Sequence, residues 1–297
     1  MTSRLLFVLL TVTLFLQACN SYKSEIPFEE YETEILQWRK ERVDVLKADN
    51  GYLSLIGLFW LDPGANTVGS DTNNKIVFPD GKSPANIGTY YWLGDTVRLI
   101  VNEEAEIKIE DSLVNTVLFY KGHLPVLNYG SLAWYLIKRG DKVAIRLRDY
   151  EAEMRKSFPG FDYYPIDQKW RIEAEFEPYD PHRTFFVKNI LGMDVEYKSP
   201  GKLRFEVDGK EFTLDIFDEL GKNFLIIADE TSGNGTYGSG RFFYVDDPDD
   251  NNKTLIDFNK AYNPPCAYND FTTCPLPPPQ NYLAISITAG EKDYVKH

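Results

Sequence analysis

The chain has 297 residues, 43% of them hydrophobic with 19 Tyr and 19 Phe, and a net charge of −13. So acidic a balance excludes a nucleic-acid binder and a protein adsorbed to anionic headgroups, since both need basic patches. The apolar content excludes a disordered chain, and the length fits one large domain or two closely packed ones.

At the N-terminus, Arg4 supplies one positive charge, and Leu5 to Leu16 run apolar apart from two threonines. A stretch of about a dozen residues is too short to span a ~30 Å hydrocarbon core. Leu16-Gln17-Ala18-Cys19 follows at once. It resembles the lipobox of bacterial lipoproteins, in which a small residue precedes a cysteine that takes a diacylglycerol. The resemblance implies a signal peptide over 1–18, lipidation of Cys19, and an extracytoplasmic protein held in the cell envelope through its lipid. The alternative is a secretory signal cut elsewhere.

After a polar tether over 19–26, Pro27 opens a helix that the pattern carries to Asp49. Proline suits the first helical position, and Glu29, Glu30 and Glu32 complement the helix N-terminus. Phe28, Tyr31, Ile35, Trp38 and Val45 recur at helical spacing as one apolar stripe, and Asn50-Gly51 closes the helix with residues that tolerate the left-handed conformation. Beyond Gly51 the period falls to two. Lys142-Val-Ala-Ile-Arg-Leu-Arg148 and Trp170-Arg-Ile-Glu-Ala-Glu-Phe176 alternate as half-buried strands. Alternating runs also flank Asp208-Gly209, a hairpin signal. The expected fold is mostly β: an N-terminal helix, then two intimately packed antiparallel units of sandwich or barrel type over 50–158 and 159–297, joined near Pro159-Gly160 to Pro165.

With Cys19 lipidated, Cys266 and Cys274 remain, eight residues apart in an oxidising compartment, so a disulfide is expected. Closing that loop stabilises by roughly 2–3 kcal/mol in the chain-entropy model. A reactive or metal-binding thiol pair is the alternative, without Cys-x-x-Cys spacing or nearby histidine to support it.

Thr67-Val-Gly-Ser-Asp71 with Asn74-Lys-Ile-Val-Phe-Pro79 resembles the opening of a forkhead-associated domain, a β-sandwich. Ser70 and Asn86 stand where that family's phosphate-binding arginine and histidine would be, so the resemblance implies shape without phosphothreonine binding. More specific are Asp229-Glu-Thr-Ser-Gly233, Thr236-Tyr-Gly-Ser-Gly-Arg241, Asp257-Phe-Asn-Lys-Ala-Tyr-Asn-Pro-Pro-Cys266, Cys274-Pro-Leu-Pro-Pro278, Ala289-Gly-Glu291 and Arg146-Leu-Arg-Asp149. Together they resemble an uncharacterised bacterial family of exported proteins, a domain of unknown function, across nearly the whole mature chain. That resemblance implies one architecture and a fixed cysteine pair, and it supplies no reaction.

The histidines His123, His182 and His297 are scattered, so neither zinc spacing nor a nucleophile elbow is found, and no metal or cofactor is expected. Asp247, Asp249 and Asn251 alternate as in a calcium loop, but Phe258 stands where a bidentate glutamate belongs, which leaves a solvated acidic turn. The polar residues singled out as a ligand site are Arg148, Asp149, Asp229, Thr231, Tyr237, Arg241, Asn259, Asn263 and Glu291. Their packing alternative pairs Arg241 with Asp229 beneath a loop and uses the two asparagines to cap turns. Three functions remain open: an envelope β protein binding a small or oligomeric ligand, a hydrolase using paired carboxylates, and a structural envelope protein.

Overall fold

The computed structural model describes residues 26–294, so Cys19 and the lipobox lie outside them. Helix α1 runs Phe28–Lys47 with Pro27 as its N-cap rather than its first helical residue. Glu29 and Glu30 occupy the first turn, where they complement the helix dipole. The buried line is Tyr31, Ile35 and Leu46, whereas Phe28 and Val45 are exposed. The expected stripe is therefore rotated by about one residue at its C-terminal end. The charged Arg42 sits on the inward line, where an apolar pattern passes over it. Gly51 does not terminate the helix in a left-handed conformation, since its φ is −70°. It is needed for close approach: a Cβ there would lie 2.2 Å from the Leu46 carbonyl oxygen.

The chain then forms β1 (Leu55–Trp60), β2 (Gly64–Gly69), β3 (Ile76–Val77), β4 (Gly88–Leu93), β5 (Thr96–Val101) and β6 (Lys108–Ile109). β7 (Ser112–Leu113), β8 (Thr116–Phe119), β9 (Leu127–Tyr129), β10 (Leu132–Arg139) and β11 (Lys142–Asp149) follow. One sheet has the order β1-β11-β10-β9-β6-β7 and the other β3-β2-β4-β5-β8. Both contribute to one core: Val68, Tyr90 and Leu99 from the second pack with Leu132, Trp134, Ile145 and Leu147 from the first. Burying each such side chain stabilises by roughly 1.5–3 kcal/mol. Trp134 satisfies its indole N–H on the Tyr90 hydroxyl at 2.9 Å, bridging the sheets.

After the short α2 (Glu153–Ser157) come β12 (Arg171–Lys188), β13 (Asp194–Val207), β14 (Lys210–Asp215) and β15 (Phe217–Glu219). The last strands are β16 (Lys222–Asp229), β17 (Arg241–Val245), β18 (Lys253–Asp257) and β19 (Tyr282–Leu283). They form the sheets β14-β13-β12-β18 and β15-β16-β17, with β19 parallel to β16. Leu203, Leu214, Leu225, Phe243 and Ile256 share the core between them. The β13–β14 turn places Asp208 and Gly209 at φ 50° and 75°, the pair of left-handed residues that a two-residue hairpin turn requires. The architecture is mostly β and mainly antiparallel, as the alternation predicts. Among the described residues no helix is long and apolar enough to cross a membrane.

Candidate functional site

Asp229 ends β16 and Arg241 opens β17, and both side chains have zero solvent exposure. Arg241 Nη2 donates to Asp229 Oδ2 at 2.7 Å and to the Ile287 carbonyl at 3.1 Å, and Nη1 donates to the Ala289 carbonyl. Asp229 Oδ1 accepts from the main-chain N–H and the hydroxyl of Thr231 at 2.8 and 2.6 Å. Thr231 meets Thr236, so the 229–241 loop is closed on its own polar groups. The structure thus gives these residues the arrangement of the packing alternative.

The other expected residues are also committed. Glu291 is buried, accepts the Arg42 guanidinium from α1, and takes the Asn263 N–H at 2.7 Å. Asn263 Nδ2 donates to the Lys292 carbonyl. Asn259 donates to the Tyr31 hydroxyl at 2.8 Å and the Asp167 carbonyl at 2.9 Å, tying α1 to the second unit. Tyr237 packs beside Phe158 and Tyr268. Arg148 holds the Gly51 carbonyl and the Ser54 hydroxyl beyond the end of α1, at 2.6 and 2.8 Å. Asp149 is capped by Lys82 and the Glu151 N–H. Burial opposes ionisation of Asp149, but the Lys82 ammonium and these hydrogen bonds outweigh it and hold the carboxyl below its ordinary range. The acidic turn closes on itself, with Asp249 accepting the N–H groups of Asn251 and Lys253.

No disulfide joins Cys266 and Cys274 in this structure, where both are free thiols. The polar demands of the sulfurs are met without a covalent bond. The N–H of each cysteine donates to the other's sulfur at 3.1 Å, and the Thr272 hydroxyl donates to Cys266 Sγ at 2.9 Å.

An open cleft lies elsewhere, between the two β units. It encloses about 770 Å³ and is walled by the C-terminal half of α1, the β10–β11 hairpin, the β12–β13 arm, β15 to β17 and the 262–275 segment. That volume falls within the roughly 300–1,000 Å³ of small-molecule sites. β11 explains its charge. Val143, Ile145 and Leu147 point into the first core, so Arg146 and Arg148 share the opposite face, which the second unit covers. Arg148 turns to α1. Arg146 is only 7% exposed, takes part in no ion pair among the described residues, and has a buried Nε without a hydrogen-bond partner.

Arg139, at the end of β10, joins it on the cleft wall. Burial, reinforced by repulsion from Arg146, lowers the pKa of Arg139 from its ordinary value. Each acid on the lining is already occupied. Glu219 accepts the Tyr244 hydroxyl, Asp194 pairs with Lys188 at 2.8 Å, and Glu196 pairs with Lys198 at 3.3 Å. Much of the remaining wall is aromatic, including Tyr52, Tyr197, Tyr262 and Phe186, with the Arg42 guanidinium 4.2 Å over the Tyr262 ring. Burial raises the phenol of Tyr197 to about 12 and lifts that of Tyr52, so both rings stay neutral hydrogen-bond partners.

Residues 156–292 match the family model described as "Protein of unknown function (DUF1684)". The chain carries a DUF1684 domain. That domain supplies Tyr197, Tyr244, Tyr262 and Cys274 to the cleft, while Arg42, Arg139 and Arg146 come from the chain before it. A solution structure of an uncharacterized protein from Haloarcula marismortui is similar at 32% identity, over 49% of this chain and 82% of that one, with a TM-score of 0.41. A comparison with curated proteins gives no match.

Arg42, Arg139 and Arg146 are absent from the ligand-site candidates that the sequence offers. Arg146 carried a readable signal, the same strand face as Arg148. Arg42 interrupted an apolar helical stripe. The contact of Arg42 with Glu291, 249 residues away, left no local trace.

Proposed function

We propose that the protein is an envelope lipoprotein, anchored through Cys19, whose inter-unit cleft binds a small organic anion such as a carboxylate or phosphate carried on a ring. The lipobox-like Leu16-Gln17-Ala18-Cys19 supports the anchor, and the acidic net charge argues against nucleic acid as a partner. One observation carries the binding reading. Among the described residues Arg146 is a buried guanidinium without a carboxylate partner, set beside a second guanidinium, in a cleft whose own acids each have another partner. Burying a charge unpaired is costly, and an anion that accepts from Arg146 and Arg139 offsets that cost. The aromatic walls favour a ligand with a flat or apolar body.

This reading ranks above the carboxylate hydrolase, which needs two available carboxyl groups facing one another across the cleft. The forkhead-associated resemblance enters only as a β scaffold. Ser70, at the place of that family's phosphate-binding arginine, donates to the Ser83 carbonyl.

The test is a ligand panel of 4-hydroxybenzoate, glucuronate and glucose 1-phosphate against their neutral counterparts, read by thermal unfolding and calorimetry. A ligand at a hundred times its dissociation constant stabilises by about 2.7 kcal/mol. Stabilisation by an anion, lost in Arg146→Met, supports the proposal. Stabilisation by none of them, or equal stabilisation by the neutral compounds, refutes it and leaves the structural envelope protein as the better reading.

A further inference from the structure

Cys266 and Cys274 sit at the two ends of a loop that is fixed in place. A single 3-10 turn, Pro265–Ala267, starts it. Asn269 anchors its middle by donating to the Tyr52 and Leu55 carbonyls at 3.1 and 2.9 Å, and the Ile190 N–H holds the Cys274 carbonyl at 2.9 Å. Within this frame the reciprocal N–H to sulfur bonds set each sulfur against the other cysteine's main chain, so the two sulfurs are neighbours before any bond joins them. The cysteines differ in access, Cys266 being half-buried and Cys274 buried.

We propose that Cys266 and Cys274 are a redox-active dithiol, with Cys266 the entering thiol and Cys274 the resolving thiol in exchange with a small disulfide. The inference does not depend on the cleft taking an anion. The Cys274 thiol, Thr272, the Cys274 N–H and the field of Arg146 together outweigh burial and bring Cys266 down to about 7, whereas burial and the adjacent Cys266 push Cys274 well up. At neutral pH about half of Cys266, the more exposed residue of the two, is therefore thiolate, and the thiolate is the nucleophile in exchange.

In the first step the Cys266 thiolate attacks one sulfur of the disulfide. The donor's S–S bond breaks, one donor thiolate leaves, and a mixed disulfide forms on Cys266. Cys274 then gives its proton to the departed thiolate and attacks the Cys266 sulfur, expelling the second donor sulfur as a thiolate. The protein loses two electrons and one proton, and the donor leaves as one thiol and one thiolate.

The experiment equilibrates the mature protein, in native buffer, with mixtures of reduced and oxidised glutathione. Acid quenching and alkylation trap the states, which mass spectrometry counts. We expect the oxidised fraction to follow the glutathione ratio through a midpoint. We expect Cys274→Ser to accumulate one glutathione on Cys266, and Cys266→Ser to accumulate none. A disulfide that persists at every ratio, or two thiols free at every ratio, overturns the proposal in the wild-type protein alone. Glutathione on Cys274 in Cys266→Ser, at the level seen on Cys266, overturns the assignment of roles.

Discussion

Removing Arg241 strips a buried carboxylate of its counter-charge and two main-chain carbonyls of their donors. In Arg241→Ala, Asp229 keeps its bonds from Thr231, but its Oδ2 loses the guanidinium, and the carbonyls of Ile287 and Ala289 lose theirs. Neither side chain of the pair has any solvent exposure, so water does not compensate in place. Breaking one side of such a pair costs about 3–5 kcal/mol. For a chain of this size each kcal/mol lowers the melting temperature by about 2–4 °C, so a fall of about 6–20 °C is expected. Thermal unfolding with a urea titration at neutral pH reads it. The double variant Arg241→Met with Asp229→Asn removes both charges at similar volume, keeps an acceptor for Thr231, and should recover part of the loss, because removing a whole buried pair costs less than removing one partner. Near-wild-type melting of Arg241→Ala would contradict a closed network and return Asp229 and Arg241 to the list of ligand-site residues.

The Glu291 network should yield less: Glu291→Gln keeps an acceptor for the Asn263 N–H and weakens the contacts with Arg42 and the Tyr163 hydroxyl, so a loss of about 1–3 kcal/mol is expected in the same unfolding assay. Asp149 gives an acid signature. Because its folded pKa is depressed, its contribution is present above the ordinary value of 3.8 and is lost as pH falls through the lower folded value. Urea midpoints measured through that range should show Lys82→Met losing less on acidification than the wild type, and identical slopes would count against the pairing. Alkylation of Cys266 by iodoacetamide should rise with pH and reach half its plateau near 7, with Cys274 unreactive throughout. The groups facing Cys266 are the Cys274 thiol, the Thr272 hydroxyl and Arg146, and a half-plateau near 9 would mean that they do not act on it.

What the sequence revealed depended on how local the physics was. Asp208-Gly209 was legible because two adjacent residues decide a hairpin turn by their own φ angles. The strand over 142–149 was legible because its alternation mirrors one buried face. The same alternation misleads about its other face. Polar residues there suggest solvent, yet the second unit covers Arg146, and no pattern in one strand reports what a distant segment will cover. The helix stripe failed for a related reason, since Arg42 is accepted inward only because Glu291 and the Tyr262 ring receive it. Asp229 and Arg241 lie close in sequence, so their pairing was foreseeable as an alternative, but whether a loop or a cleft surrounds them is decided by Ile287 and Ala289 on a later segment.

The most direct test of the anion cleft is the dissociation constant of the strongest-binding panel anion for Arg146→Met, set beside the wild type and Lys75→Met. Lys75 pairs with Asp62 in solvent, away from the cleft, and so controls for net charge. A charge-assisted hydrogen bond is worth about 1.5–3 kcal/mol, so Arg146→Met should weaken binding by roughly tenfold or more, with Lys75→Met close to wild type. Binding that survives Arg146→Met unchanged, in a protein that melts as the wild type does, would contradict the account.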